Sequence, residues 1–208
     1  LTGFTRLAYY IAGQNGWAVM SYLAAPEWFW EGDAVYSETT FSPSGRGRIP
    51  NFDLVFRTTV LEKGGWNYCK QHLRSYKDFV PNHYVTGYFM TSYLRRKYGN
   101  QIWDSVTKNS FAWSFVPFTF SNSIKKYTGN YLVPIYRAMI SDVGELWKKQ
   151  IDQIPITDSK KINKRKNKIY TNYMNPQILS DGSIVVVKSG IGDIEQFVRI
   201  DSIGNEQK

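Results

Sequence analysis

The pattern of apolar residues changes once along this chain, close to Gln150, and that change constrains the fold more than any other feature. Over residues 130–149 the apolar side chains recur at steps of three and four, which predicts a long amphipathic helix. From residue 169 onwards, β-branched runs alternate with Asp-Gly and Gly-Asn turns, which predicts strands. The prediction is therefore a mainly α fold with a helical domain, a basic linker and a short β segment, covering residues 1–150, 151–168 and 169–208.

Local signals predict further helices in the first 150 residues. The clearest covers residues 81–98, because Pro81 stands at its start, three basic residues fill its last turn and Gly99 follows as a cap. The residues around Gly13 and Gly16 are expected to form one or two buried helices. A Gly-, Pro- and Ser-rich loop is predicted at 42–50. The remaining predicted helices are 3–24, 26–37, 53–62, 66–75, 101–108 and 121–128.

Composition excludes several classes of protein. Aromatic residues make up 16% of the chain, which is typical of a densely packed domain with a groove and not of a disordered chain. The single cysteine, Cys69, excludes an internal disulfide and a four-cysteine zinc site. No run approaches the roughly 20 apolar residues that span a bilayer, so no transmembrane segment is expected.

The net charge of +9 raises the possibility of nucleic-acid binding. Most of the excess comes from one short stretch, which indicates a solvated linker more than a binding face. Nucleic acid is therefore not the expected partner, although binding by this stretch would show a steep dependence on salt. The basic residues concerned are Lys160, Lys161, Lys164, Arg165, Lys166 and Lys168.

The segment 26–38, Pro-Glu-Trp-Phe-Trp-Glu-Gly-Asp-Ala-Val-Tyr-Ser-Glu, carries the most informative motif. It resembles the element of gluzincins, the thermolysin- and aminopeptidase-like zinc metallopeptidases, in which Glu-Gly follows an aromatic residue on a helix. The resemblance implies that Glu31 is the third zinc ligand, and Gly32 would let a neighbouring helix approach closely. Trp30 and Asp33 depart from the common aminopeptidase pattern. The alternative interpretation is a buried helix with one polar residue turned outward.

A second motif, Tyr84-Val-Thr-Gly87, is similar to the Tyr-x-x-Gly signature that follows in the same family. The resemblance implies that the Tyr84 hydroxyl donates to the oxyanion formed during peptide hydrolysis, a role that suits a phenol, which is neutral at pH 7. The alternative is a core tyrosine on an aromatic ridge. Because both motifs occur in the family's order, the resemblance favours the C-terminal helical part of a gluzincin-like domain.

The zinc-binding helix of the family is missing from this sequence. Only His72 and His83 are present, and neither has the His-Glu-x-x-His spacing. We expect that helix to lie upstream of Leu1 in a longer parent protein. Zinc is accordingly the expected cofactor of the parent, whereas this chain alone should bind no zinc and have no activity.

Other side chains are weaker candidates, either for orienting the metal ligand through a contact or for binding substrate. Arg46 and Arg48 could hold a peptide carboxylate or belong to a solvated loop. His83 could orient Tyr84 or bind substrate, and Glu38 lies on the same helix face as Glu31. The remaining candidates are the aromatic residues Trp28 and Trp30, which together with Tyr88 could line a shared cleft.

The resemblance extends to a type of bacterial envelope protein in which a peptidase-like helical domain precedes a Tol-type β-propeller. Residues 26–150 resemble that helical domain, and residues 169–208 resemble the first strands of the propeller. This implies a periplasmic or cell-envelope location, further propeller blades in the parent and a peptide or protein substrate. The alternative function is a scaffold module that binds a peptide or glycan with a degenerate peptidase fold.

Overall fold

Eight α-helices precede a four-stranded sheet in the computed structural model, which describes residues 1–163 and 169–208. Helices account for 58% of the structure. The predicted mainly α class is confirmed, and each predicted helix has its counterpart. The helices are α1 Gly3–Ala24, α2 Glu27–Phe41, α3 Pro50–Lys63, α4 Tyr68–Leu73, α5 His83–Tyr98, α6 Ile102–Ala112, α7 Thr119–Thr128 and α8 Leu132–Ile151.

The signals that delimited α5 in the sequence act as expected. Asn82 caps its N-terminus, where the side-chain oxygen accepts a hydrogen bond from the backbone N–H of Val85. At the other end the N–H of Gly99 donates to the carbonyl of Arg95, and Gly99 has φ of 93°. A side chain at that φ would be strained, so a glycine ends the helix there.

The core lies between helices α2, α3, α5, α6, α7 and α8. Its centre is aromatic: Trp28, Phe29, Trp103 and Phe120 pack against one another with ring centroids 4.8–6.5 Å apart. Helix α8 contributes its predicted apolar stripe, which is buried except for Leu146. Edge and offset contacts of this kind add to the stabilisation from burial alone.

Helix α1 has the predicted length but not the predicted burial. It is kinked at Ala12 and Gly13, where the backbone leaves helical geometry. Most of its apolar side chains face solvent, and Ile11 and Leu23 are 78% and 68% exposed. The prediction of buried helices over residues 3–24 is therefore wrong, because apolar composition alone does not supply a neighbour to pack against.

The β segment forms an antiparallel meander of four strands, which are β1 Thr171–Ile178, β2 Ile184–Gly190, β3 Asp193–Ile200 and β4 Glu206–Gln207. Their order in the sheet is β1-β2-β3-β4. Strands β2 and β3 coincide with the β-branched runs of the sequence, whereas β1 and β4 were not predicted as strands. The Asn175-Pro176 pair hid β1 because it interrupts the alternation, and the ladder shifts register there between Met174 and Gln177.

The chain divides into two compact units at boundaries slightly different from the predicted ones. The helical unit comprises residues 1–72 and 81–150, and the second unit comprises residues 73–80 and 151–208. Segment 73–80, predicted within the helical domain, belongs to the second unit because Phe79 stacks on Tyr170 and the carbonyl of Lys77 accepts from the N–H of Tyr170.

The predicted basic linker is only partly within the described residues. Lys160 and Lys161 are exposed in a stretch with no helix or strand, as expected of a solvated segment. Lys164, Arg165, Lys166 and Lys168 lie outside the described residues. Across the described parts of the chain, none of the helices combines the length and hydropathy needed to span a bilayer.

Candidate functional site

Helices α2 and α5 cross at the two glycines of the sequence motifs. An ideal Cβ on Gly32 would lie 2.1 Å from the carbonyl carbon of Gly87, and one on Gly87 would lie 1.9 Å from the carbonyl oxygen of Trp28. Real Cβ atoms do not approach backbone this closely, so both positions require glycine. The expected role of Gly32 in close helix packing is confirmed, and its partner is the glycine of the Tyr-x-x-Gly motif.

This crossing brings Glu31 and Tyr84 close together. Interactions with the Glu31 carboxylate are the main reason that the pKa of Tyr84 is raised, because loss of the phenol proton would remove a donor and place a second negative charge near that carboxylate. The predicted convergence of the two side chains is found, whereas their assigned roles in metal binding and catalysis remain predictions.

His83 flanks Tyr84 on the side of the helix start. Its ring centroid lies 4.6 Å from that of Tyr84, and its Nε2 lies 3.5 Å from Oε1 of Glu27. Glu27 stands one helical turn before Glu31, so the two carboxylates lie on the same face of α2. Glu27 was not among the candidates predicted from the sequence, although its spacing of four residues from Glu31 was a usable signal.

Arg46 lies in the loop that follows α2 and contacts both Glu38 and Tyr84. Its backbone N–H and Nε donate to Oε1 of Glu38 over 2.9 and 2.6 Å, and its NH2 group donates to Oε2 over 3.1 Å. These bonds lower the pKa of Glu38, because they stabilise its charged form. The same guanidinium lies over the Tyr84 ring, 4.9 Å from its centroid.

The Gly-rich loop is fixed to α2 through Thr39. Gly47 donates its N–H to Oγ1 of Thr39 over 3.0 Å, and the Arg48 guanidinium donates to the Thr39 carbonyl over 2.7 Å. A Cβ on Gly45 would lie 2.2 Å from the Cα of Thr39, so glycine is needed for this approach. The predicted loop is thus a short 3₁₀ turn, Arg46–Arg48, packed on the end of the helix.

The aromatic residues that were predicted to line one shared cleft lie in different surroundings. Trp28 is 2% exposed within the core and donates its Nε1–H to the Tyr68 hydroxyl over 3.0 Å, so it cannot line an open cleft. Trp30 stacks on Phe111 at 5.6 Å and lines a separate cavity of about 430 Å³. Successive residues of a helix point about 100° apart, so neighbours of Glu31 in sequence face other directions. Tyr88 is half-buried beside Gly47.

The residues present do not by themselves fit a zinc centre. Among the described residues there is no group of three or more His, Cys, Asp or Glu side chains arranged to hold a metal ion. His72 stacks on Tyr68 and His83 pairs with Glu27. The described part of the chain therefore offers one candidate ligand, Glu31, and catalytic zinc sites use three protein ligands.

Comparisons of the chain with protein-family models, with curated proteins and with solved structures found no match.

Proposed function

We propose that this chain contributes part of a gluzincin-type peptidase site: Glu31 as the third zinc ligand and Tyr84 as the oxyanion donor. The observation that carries the proposal is the glycine-on-glycine crossing of α2 and α5, which joins the Glu-Gly and Tyr-x-x-Gly motifs in one place. Two residues 53 positions apart in sequence thereby interact, and Glu31 raises the pKa of Tyr84. Two histidines and a glutamate base would come from a His-Glu-x-x-His helix in the parent protein.

The side chains suit these roles chemically. Glu31 is an anionic oxygen ligand of the kind that completes a site with two histidines. Tyr84 has a raised pKa because of the nearby Glu31 carboxylate, so it remains a neutral O–H donor at pH 7. Such a donor stabilises negative charge that develops on the carbonyl oxygen of a peptide substrate. Zinc in the parent would supply the charge that activates water.

The second unit supports the wider part of the proposal. A propeller blade is a four-stranded antiparallel sheet, and the strand order β1-β2-β3-β4 is that of such a blade. We therefore propose that residues 169–208 begin a Tol-type propeller and that the parent acts on peptides or proteins in a bacterial cell envelope.

A parent protein with the preceding sequence restored provides the test. It should bind zinc tightly, whereas the present chain should bind it weakly, because one carboxylate makes no closed site. Glu31→Gln should lower the zinc content, and Tyr84→Phe should keep the metal but reduce kcat by roughly 10²–10³, the typical cost of losing one oxyanion donor. The measurements are metal content and peptidase rate.

Two matched variants control for general effects of substitution. Glu62 is exposed on α3 and Tyr127 is exposed on α7, so Glu62→Gln and Tyr127→Phe should change neither quantity. The proposed peptidase function would be contradicted by a parent protein that binds no zinc, or by a Glu31→Gln variant with unchanged metal content.

The alternative is a non-catalytic scaffold that binds a peptide or glycan. It is favoured by one observation: Glu31, Tyr84, Arg46 and Glu38 already satisfy one another through hydrogen bonds and ring contacts in this chain. A parent protein without zinc that nevertheless binds peptide or glycan would establish this function in place of the peptidase.

A further inference from the structure

The Arg46 guanidinium occupies a defined place between a carboxylate and an aromatic ring. On one side Glu38 accepts two of its side-chain hydrogen bonds, and on the other the Tyr84 ring lies 4.9 Å away. A guanidinium over the face of a phenol is attracted by the negative charge of the ring face. Arg46 thus links Glu38 to the hydroxyl-bearing ring that contacts Glu31.

This linkage is fixed by the backbone as well as by the ion pair. The N–H of Arg46 donates to the same Glu38 oxygen as its Nε, so main chain and side chain are held by one carboxylate. On either side of Arg46, Gly45 and Gly47 lie against Thr39. The Arg46 and Glu38 side chains are 42% and 35% exposed, so the pair contributes little to stability and chiefly fixes geometry.

We propose that Arg46 is a positioning residue: Glu38 holds its guanidinium, and the guanidinium holds the Tyr84 ring in its orientation near Glu31. The importance of that orientation for peptide hydrolysis rests on the proposed function, but the contacts of Arg46 with Glu38 and Tyr84 do not.

Arg46 is poorly placed for the other role considered from the sequence, which was to bind the carboxylate of a peptide substrate. A peptide carboxylate is best bound by both arms of the guanidinium fork, and Glu38 already engages Nε and one NH2 group. A substrate anion would have to displace a carboxylate that is held by three hydrogen bonds.

Arg48, two residues on, carries the same charge in the same 3₁₀ turn, but its guanidinium donates to the carbonyl of Thr39. It therefore serves as a control for the loss of a positive charge from this turn.

The test is NMR of the tyrosine rings of this chain at neutral pH, with Tyr84→Phe used to assign the Tyr84 resonances. Arg46→Met should change the Tyr84 ring resonances, because the guanidinium that lies over the ring is removed. Arg48→Met is the matched control and should leave the Tyr84 resonances in place. Arg46→Lys keeps the charge without the fork, so it should restore the wild-type resonances only in part.

Glu38→Gln weakens the contacts that hold Arg46 without changing Arg46 itself. It should perturb the Tyr84 ring resonances, because a neutral amide cannot hold the guanidinium in place. Unchanged Tyr84 signals in both Arg46→Met and Glu38→Gln, with helical content retained, would overturn the proposal, as would equal effects of Arg46→Met and Arg48→Met on Tyr84. This measurement needs neither zinc nor activity, so its outcome is independent of whether the parent is a peptidase.

Discussion

Tyr136 shows how burial of a single titratable side chain couples stability to pH. It is 1% exposed, and its hydroxyl donates to the carbonyl of Trp66 over 3.0 Å. Burial raises the pKa of Tyr136 far above its usual range, because the phenolate would be desolvated. The folded state therefore requires the neutral form. Its stabilising effect is complete below the unfolded pKa of about 10 and is lost as pH rises beyond it.

We expect Tyr136→Phe to reduce the loss of stability in alkali. At neutral pH the variant should be less stable by about 1 kcal/mol, because the Trp66 carbonyl loses its donor. Above about pH 10 the difference should narrow, since phenylalanine has no proton to lose. Urea unfolding at several pH values measures this, and Tyr76→Phe is the control because Tyr76 is 99% exposed. Parallel pH profiles for Tyr136→Phe and the wild type would contradict the account.

At the scale of elements, the crossing of α2 and α5 depends on the absence of two side chains. Thr91 reinforces the crossing, since its hydroxyl lies 2.8 Å from the carbonyl of Gly87 and 3.3 Å from that of Gly32. Helices packed so closely keep a fixed rotation about their axes. That rotation, more than any single contact, places Glu31 opposite Tyr84.

Gly32→Ala and Gly87→Ala should each destabilise the helical unit by about 3 kcal/mol or more, the upper end of typical overpacking costs. Each added methyl group would meet backbone atoms that cannot move aside. Gly144→Ala in α8 is the matched control: its Cβ would meet only the Cγ1 of Val60 at 3.2 Å. Because alanine favours helix by up to about 1 kcal/mol over glycine, that variant should be close to neutral. The denaturant midpoints of the three variants measure these losses of stability. Equal midpoints for Gly32→Ala, Gly87→Ala and Gly144→Ala would show that the crossing does not require glycine.

At the scale of the whole molecule, the second unit is assembled from two distant parts of the chain. Segment 73–80 contributes Phe79, whose ring stacks on Tyr170 at 4.6 Å, just before β1. The sheet has a small core of its own, in which Val186, Val198 and Ile200 are buried. With so small a core, one aromatic contact is a large part of its stabilisation.

Phe79→Ala should therefore lower the melting temperature of the sheet while leaving the signals of the helical core in place. The expected loss is about 1 kcal/mol, because Phe79 is 40% exposed and only part of its ring area is buried. NMR of the Val186 and Val198 methyl groups with increasing temperature follows the sheet directly. Tyr76→Ala, in the same segment, is the control and should have no effect; a similar loss in both variants would show that the Phe79 contact is not responsible.

The sequence by itself determined the helices, because their signals are local: caps, periodicity and the glycines that end α5 and α7. Its short, contiguous motifs also made Glu31 and Tyr84 candidates for a site. Only the tertiary structure decided that Gly32 meets Gly87, that Glu38 binds Arg46 and that Trp28 is buried. Those facts depend on how far each helix is rotated about its axis and on which neighbour it meets. Helical spacing defines a face, but the partner of that face is set by packing between residues distant in sequence.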